Sequence, residues 1–376
     1  MTKYVKINKD LNFKFDKHIK ECLNPDYVYI PYNDKDNLNV KGNEEIHKNS
    51  IVIANKNKFI YSPVSGTVKG MCDNIVDGKK MKTIVIENNF KESVRKSTGV
   101  KKNPYNITKD ELLNLVKTYR VFNGNLNGKT MIISGIDMNI YENVYSTIIS
   151  EHAEQLLEVI DALINILGIH KCFFALKDTD SANVTMLLNQ IGTYPNIELK
   201  LMSDSYPMGH PDILIKELVL DNKMDEGVVF LTTEDVYNIY HTIKRKCPLS
   251  EKYVTIGGNL LNKGKVVKVK IGTRIADIIN NEFKIKTNNY HIIINGLLSG
   301  YEIDSLNAII TPNIHSIFIE SARKEKEVKC INCGLCHIHC PVNADPRNNV
   351  NMDKCIKCGL CNYLCPSKIH LVGGKK

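Results

Sequence analysis

Residues 329–341 read KCINCGLCHIHCP, and residues 354–366 read KCIKCGLCNYLCP. The two are near copies. Cys330, Cys333, Cys336 and Cys340 precede Pro341, and Cys355, Cys358, Cys361 and Cys365 precede Pro366, so each set has the form C-x2-C-x2-C-x3-C-P. Three thiols at x2 intervals wrap one short loop around three corners of a multi-atom centre, and the fourth corner must come from elsewhere. Zinc sites instead pair two C-x2–4-C knuckles. A disulfide framework suits a short secreted chain, whereas this one has 376 residues. Its opening, MTKYVKINKD, lacks the apolar segment of a secretory signal.

The repeated motif resembles the run with which bacterial two-cluster ferredoxins hold two [4Fe–4S] clusters, where the cysteine before proline ligates the other cluster. The resemblance implies one cluster on Cys330, Cys333, Cys336 and Cys365, and a second on Cys355, Cys358, Cys361 and Cys340. Gly334 and Gly359 occupy matching positions where a backbone without Cβ can turn sharply. Ile331, Leu335, Ile356 and Leu360 are candidates to wall the clusters. His337 and His339 are expected to face solvent. Cys22, Cys72, Cys172 and Cys247 are scattered and read as reduced structural thiols of a cytoplasmic protein.

Under sixty residues of the chain carry these motifs, so most of its mass is something else. Hydrophobic content of 43% and charged content of 24% are those of a soluble globular protein. No apolar run approaches the ~18 residues of a membrane span. The formal charge is +9, and lysines crowd the tail at 324, 326, 329, 354, 357, 368, 375 and 376. Such a tail is a solvated face, a docking face for an acidic redox partner, or a contact with an anionic membrane surface. No basic stretch is interleaved with stacking aromatics, so nucleic acid is not expected.

Ahead of the motifs the chain divides by pattern. Residues 1–95 read as a β domain with short apolar runs, among them Ser50–Ala54 and Lys82–Glu87; SPVSGTV (62–68) resembles the hairpin of lipoyl-type, barrel-sandwich domains. A lipoyl domain carries its modified lysine at the hairpin tip, where Val64 and Ser65 stand here. Residues 96–127 read as linker and helix. Residues 128–248 alternate strand and helix, with strands at Met131–Ser134, Cys172–Leu176, Ile197–Met202 and Val228–Leu231, and helices at Glu151–Leu167, Ser181–Ile191 and Val236–Lys244. Repeated βα units imply a Rossmann-like, mostly parallel sheet. Residues 249–320 read as a small β-grasp unit, with Thr273 as the cap of a helix from Arg274 to Phe283. Residues 321–376 are the ferredoxin-like unit. The fold class is thus α+β / α/β multidomain.

This order of parts resembles the RnfC family of the Rnf electron-transport complex, and the middle regions resemble the NADH- and FMN-binding subunit of respiratory complex I. Local matches are SPVSGTV, SYPMGHPDILIKEL (205–218), VTIGGNLLNKGKVVKVKIGT (254–273) and NGLLSG (295–300). The resemblance implies a protein at the inner face of the cell membrane that takes electrons from NADH through FMN and passes them on. Its partners would be Rnf-like membrane subunits, a ferredoxin or flavodoxin, or a reductase.

Two departures qualify this. The glycine-rich GxGGxxFP loop of the family is here Val121–Gly128, which keeps Gly124 and Gly128 but lacks the dense run that brings phosphate or flavin close to backbone. The family's NGAECEPY is here residues 134–141, where Gly135 and Tyr141 are kept and Asp137 replaces the first acid. Gly124, Gly128, Gly135 and Asp137 therefore mark a degenerate FMN/NADH site. The leading expectation is a relay between protein redox partners with no catalytic acid or base. The alternatives are a protein feeding a dedicated, proline-type reductase, and an active NADH:acceptor module with FMN.

Overall fold

The structure, a computed structural model, describes residues 4–7, 14–56, 58–93, 103–219, 227–321 and 326–372. Part of the expected linker, and the tail lysines at 324, 375 and 376, lie outside them. The architecture is mixed α/β with several sheets.

The first strand, β1 (Lys14–Cys22), leaves the N-terminal region and pairs far along the chain. The next six are β2 (Tyr27–Pro31), β3 (Glu45–Ile46), β4 (Ile51–Asn55), β5 (Lys58–Tyr61), β6 (Gly66–Val76) and β7 (Lys79–Asn88). They form an antiparallel sheet in the order β2-β7-β6-β3 and a two-stranded sheet β4-β5. Val28, Ile30, Val52, Ile53, Ile84 and Ile86 close a core between them. Gly66 opens β6 because a Cβ there would lie 1.8 Å from the Glu87 carbonyl oxygen.

Helix α1 (Lys109–Tyr119) starts at a Thr108/Glu111 capping box and buries Leu112 and Val116. Then strands β8 (Thr130–Ser134), β9 (Lys171–Lys177), β10 (Ile197–Met202) and β11 (Val228–Thr232) alternate with helices α2 (Val144–Leu167), α3 (Ser181–Ile191), α4 (Pro211–Leu218) and α5 (Thr233–Arg245). All three pairings in this sheet are parallel. The order is β10-β9-β8-β11. The chain steps outward from β8 on one side, then returns to place β11 on the other. Such an order reverses between β8 and β11, and the carboxyl ends of strands at that reversal open a ligand crevice in doubly wound folds. α2 begins seven residues before the predicted start. His152 interrupts its helical φ/ψ, and that ring's Nε2 sits 3.0 Å from the Tyr253 hydroxyl.

The third sheet holds β12 (Glu251–Gly257), β13 (Lys263–Lys270), β14 (Tyr290–Ile294), β15 (Tyr301–Ile303) and β16 (Ser316–Ser321), with α6 (Ile275–Glu282) packed on it. Its order is β1-β13-β12-β16-β14-β15. β1 lies parallel to β13, Lys14 opposite Lys263. β1, from within residues 1–95, thus fills the edge of β13 rather than joining the sheets of β2–β7. Thr273 is not the cap of α6. Arg274 is the N-cap residue, and the buried Thr273 hydroxyl has no hydrogen-bond partner among the described residues. Arg274 instead lays its guanidinium 4.0 Å from the centre of the Tyr29 ring and donates from Nε to Asn74 Oδ1, tying this sheet to the N-terminal one.

The C-terminal unit carries two short helices among the described residues, α7 (Leu335–Ile338) and α8 (Leu360–Leu364), each opening on a glycine in the left-handed region, Gly334 at φ 74° and Gly359 at φ 73°. Among the described residues no helix is long and apolar enough to cross a membrane.

Candidate functional site

Two hollows sort the eight motif cysteines. One is lined by Cys340, Cys355, Cys358 and Cys361 with Val342, Ile356 and Leu360. The other is lined by Cys330, Cys333 and Cys365 with Ile331, Leu335 and Arg347. Cys336 borders both. Each hollow so combines cysteines of one motif with the pre-proline cysteine of the other. All twelve cysteines are free.

The donor set suits a sulfur-bridged cluster better than a lone ion. The donors lining the two hollows are cysteine thiols, the ligands that iron–sulfur clusters take. Backbone N–H groups already point at sulfur: Asn332 N donates to Cys330 Sγ at 3.4 Å, and Ala344 N to Cys340 Sγ at 3.2 Å. Such contacts are the outer-shell bonds that hold and tune thiolate ligands. Burial pushes the Cys358 thiol up to about 11 and that of Cys361 up to about 12.

The two loops differ in setting. A Cβ on Gly359 would lie 1.8 Å from the Leu298 carbonyl oxygen, so the second loop is pressed against the 295–300 turn. A Cβ on Gly334 would meet nothing nearer than Ile338 at 3.6 Å. Tyr206 adds a hydrogen bond from its hydroxyl to the Cys358 carbonyl oxygen at 2.6 Å.

Beside the second loop, at the β8–β11 reversal, lies a cavity of about 580 Å³. Arg120, Tyr206, His210, His315, Lys357 and Cys358 are on its wall. Its base is acidic and buried. Glu142 accepts from Asn139 N, Asn139 Nδ2 and the Ser316 hydroxyl. Glu234 is opposed by burial, but Lys252 at 3.4 Å and His315 at 3.1 Å outweigh this and hold its carboxyl at about 2. The Ser299 hydroxyl donates to Asn139 Oδ1, joining the 295–300 turn to the loop after β8.

None of the four residues expected for an FMN/NADH site lines this cavity. Gly124 sits under the Phe122 ring. Gly128 packs on the backbone of Gly227, at the end of β8 remote from the crevice. Gly135 is needed because a Cβ would strike Leu176 and Ile149. Asp137 lies beneath the crevice and accepts from Tyr145 N at the start of α2; burial first, then Glu142, raises its carboxyl to about 7. Their neighbours Arg120–Asn123, Met138 and Asn139 do reach the cavity. Sequence pattern alone assigns no role to Tyr206, His210, Glu142 or Glu234. The one signal for any of them is that Tyr206 and His210 fall within the matched stretch 205–218. Of the tail lysines, Lys326, Lys329, Lys354, Lys357 and Lys368 are exposed.

Fold and cysteine arrangement define a multidomain α/β chain with a two-hollow, cysteine-rich C-terminal unit. More particularly, the chain resembles the RnfC proteins of the ion-translocating oxidoreductase complexes, as the order of its motifs implied. The RnfC protein from Haemophilus influenzae (strain ATCC 51907 / DSM 11121 / KW20 / Rd) is 26% identical over 229 residues, covering 58% of this chain and 28% of the relative. That from Edwardsiella ictaluri (strain 93-146) is 26% identical over 233 residues, 58% of this chain and 29% of the relative. That from Buchnera aphidicola subsp. Acyrthosiphon pisum (strain APS) is 24% identical over 343 residues, 82% of this chain and 71% of the relative. The chain thus spans only about a third of the first relatives it matches. No family model matches it. Among solved structures, an NAD+-reducing [NiFe]-hydrogenase in the H2-reduced state aligns over 58% of this chain and 48% of that chain, with a TM-score of 0.45 and 12% identity.

Proposed function

We propose that this chain is an electron-transfer protein that relays electrons between protein redox partners. In this reading Cys330, Cys333, Cys336 and Cys365 hold one [4Fe–4S] cluster, and Cys340, Cys355, Cys358 and Cys361 hold the other. A thiolate-ligated cubane supplies one-electron chemistry when bound. The observation that carries the reading is the sorting of these cysteines into two apolar-walled hollows that share Cys336. The chain's own work is to present thiolates, direct the Asn332 and Ala344 N–H groups at sulfur, and keep water off with Leu335, Val342 and Leu360. No side chain need move a proton.

The reading takes residues 128–248 as a Rossmann-like unit, 249–320 as a β-grasp unit and the sheets of β2–β7 as a lipoyl-like unit. By resemblance to the RnfC proteins, the chain would work beside Rnf-like membrane subunits, peripherally at the inner face of the cell membrane.

One observation favours a second reading, an NADH:acceptor module with FMN: the large crevice at the strand reversal has Cys358 on its wall. A single anaerobic experiment tests both. The reconstituted chain should take up about eight irons and lose its visible absorbance with dithionite. Bleaching by NADH with added FMN, but not without it, would establish the second reading. Failure to take up iron and sulfide would end both.

A further inference from the structure

The two cysteine loops are nearly identical in sequence and sharply different in surroundings. In the second, Ile356 packs into the core around Ile132 and Met208, Gly359 abuts Leu298, and Lys357 and Cys358 face the crevice. In the first, the matching Ile331 is 64% exposed, and Cys330 and Cys333 are exposed with it. Val328 and Ile338 add apolar surface at 59% and 53% exposure.

These residues form one neighbourhood. Val328 N donates to the Ser367 carbonyl oxygen at 3.0 Å, and the Ser367 hydroxyl to the Lys329 carbonyl oxygen at 3.1 Å. That pairing sets 328–331 beside Pro366 and Lys368 at the mouth of the first hollow. Ile338 lies over Gly334 in the same loop. The charge around the mouth is positive: Lys326, Lys329 and Lys368 are exposed against Glu327, while Arg347 is held 3.5 Å from Asp345. An apolar centre with a cationic rim, over the more exposed of two redox positions, is complementary to a protein carrying carboxylates around an apolar redox edge.

We propose that the face built from Val328, Lys329, Ile331 and Ile338, with Lys326 on its rim, docks an acidic redox protein. The first hollow is then the port for protein partners, and the second hollow serves the crevice. This rests on the relay reading above and adds to it a polarity and a partner chemistry.

The test uses the full, cluster-loaded chain on a sensor surface. An acidic flavodoxin is the probe, a basic cytochrome c the control, and vesicles of anionic phospholipid the competing surface. Flavodoxin should bind, and more weakly as salt rises. Lys326→Glu with Lys329→Glu should weaken it at least about tenfold. Ile331→Ser should weaken it several-fold with less effect on its salt dependence. Lys117→Glu, on the outer face of α1, should leave it unchanged. Iron and sulfide content, measured on the same samples, should match in every variant. Full iron content with binding indifferent to the tail variants overturns the docking face and leaves the relay standing. Binding to anionic vesicles but not to flavodoxin also overturns it, in favour of a membrane contact. Absent iron uptake removes the relay and this proposal together.

Discussion

The Tyr206 hydroxyl and the Cys358 carbonyl oxygen stand 2.6 Å apart. Tyr206 belongs to the loop between β10 and α4, and Cys358 to the second cysteine loop, so one hydrogen bond joins the parallel-sheet unit to the cysteine-rich unit at the crevice. Tyr206→Phe keeps the ring and removes the bond. We expect a loss of about 1 kcal/mol in unfolding free energy. In a potentiometric titration followed by electron paramagnetic resonance, only one of the two reduced centres should shift. Equal shifts of both, or of neither, would contradict the coupling of Tyr206 to one loop.

Gly334 and Gly359 share a backbone conformation and differ in what surrounds them. Gly334→Ala meets only the left-handed strain, of order 1–2 kcal/mol. Gly359→Ala must also push away the Leu298 backbone, from which its Cβ would be 1.8 Å. Iron per chain after reconstitution should stay near wild type for Gly334→Ala and fall markedly for Gly359→Ala.

Asp137 is buried, and its carboxyl is raised from 3.8 to about 7 by burial and by Glu142. An acid raised on folding stabilises below its unfolded pKa, and that contribution is lost as pH rises through the folded value. Between about pH 4 and 7 the chain should therefore lose up to ~4 kcal/mol at this position. Asp137→Asn can still accept from Tyr145 N. Its stability relative to wild type should rise from pH 5.5 to 8, and urea unfolding across that range measures it. A flat difference would refute the buried, neutral carboxyl.

Lys252 is buried beside Glu234, and its ammonium also donates to the Pro312 carbonyl oxygen at 2.7 Å. Lys252→Met leaves the Glu234 carboxylate with only His315 close by, and should cost about 3–5 kcal/mol. Adding Glu234→Gln should recover much of that. If the double variant is no better than the single one, the pair is not coupled.

Local pattern made much of this fold legible. Periodicity placed the strands of the parallel sheet to within a residue or so. What escaped it depends on contacts distant in sequence. Nothing in residues 14–22 announces a partner at 263–270. The crevice wall draws on loops from 120 to 358, with Tyr206, His315 and Lys357 brought together only by the strand order. The capping expectation at Thr273 failed because Arg274 is drawn to Tyr29 and Asn74 in another sheet. The glycines at 124, 128 and 135 looked like remnants of a ligand loop, yet each is accounted for by close packing.

The pairing of β1 with β13 also sets a schedule for synthesis. Lys14 finds its partner at Lys263, roughly 250 residues later on the ribosome, which at ~5–20 residues per second is a wait of some 12–50 seconds. Through that interval the strand is an open template for other chains. Its sequence, KFDKHIKEC, is interrupted by charge at almost every second position, a composition that deters aggregation until the proper edge has been made.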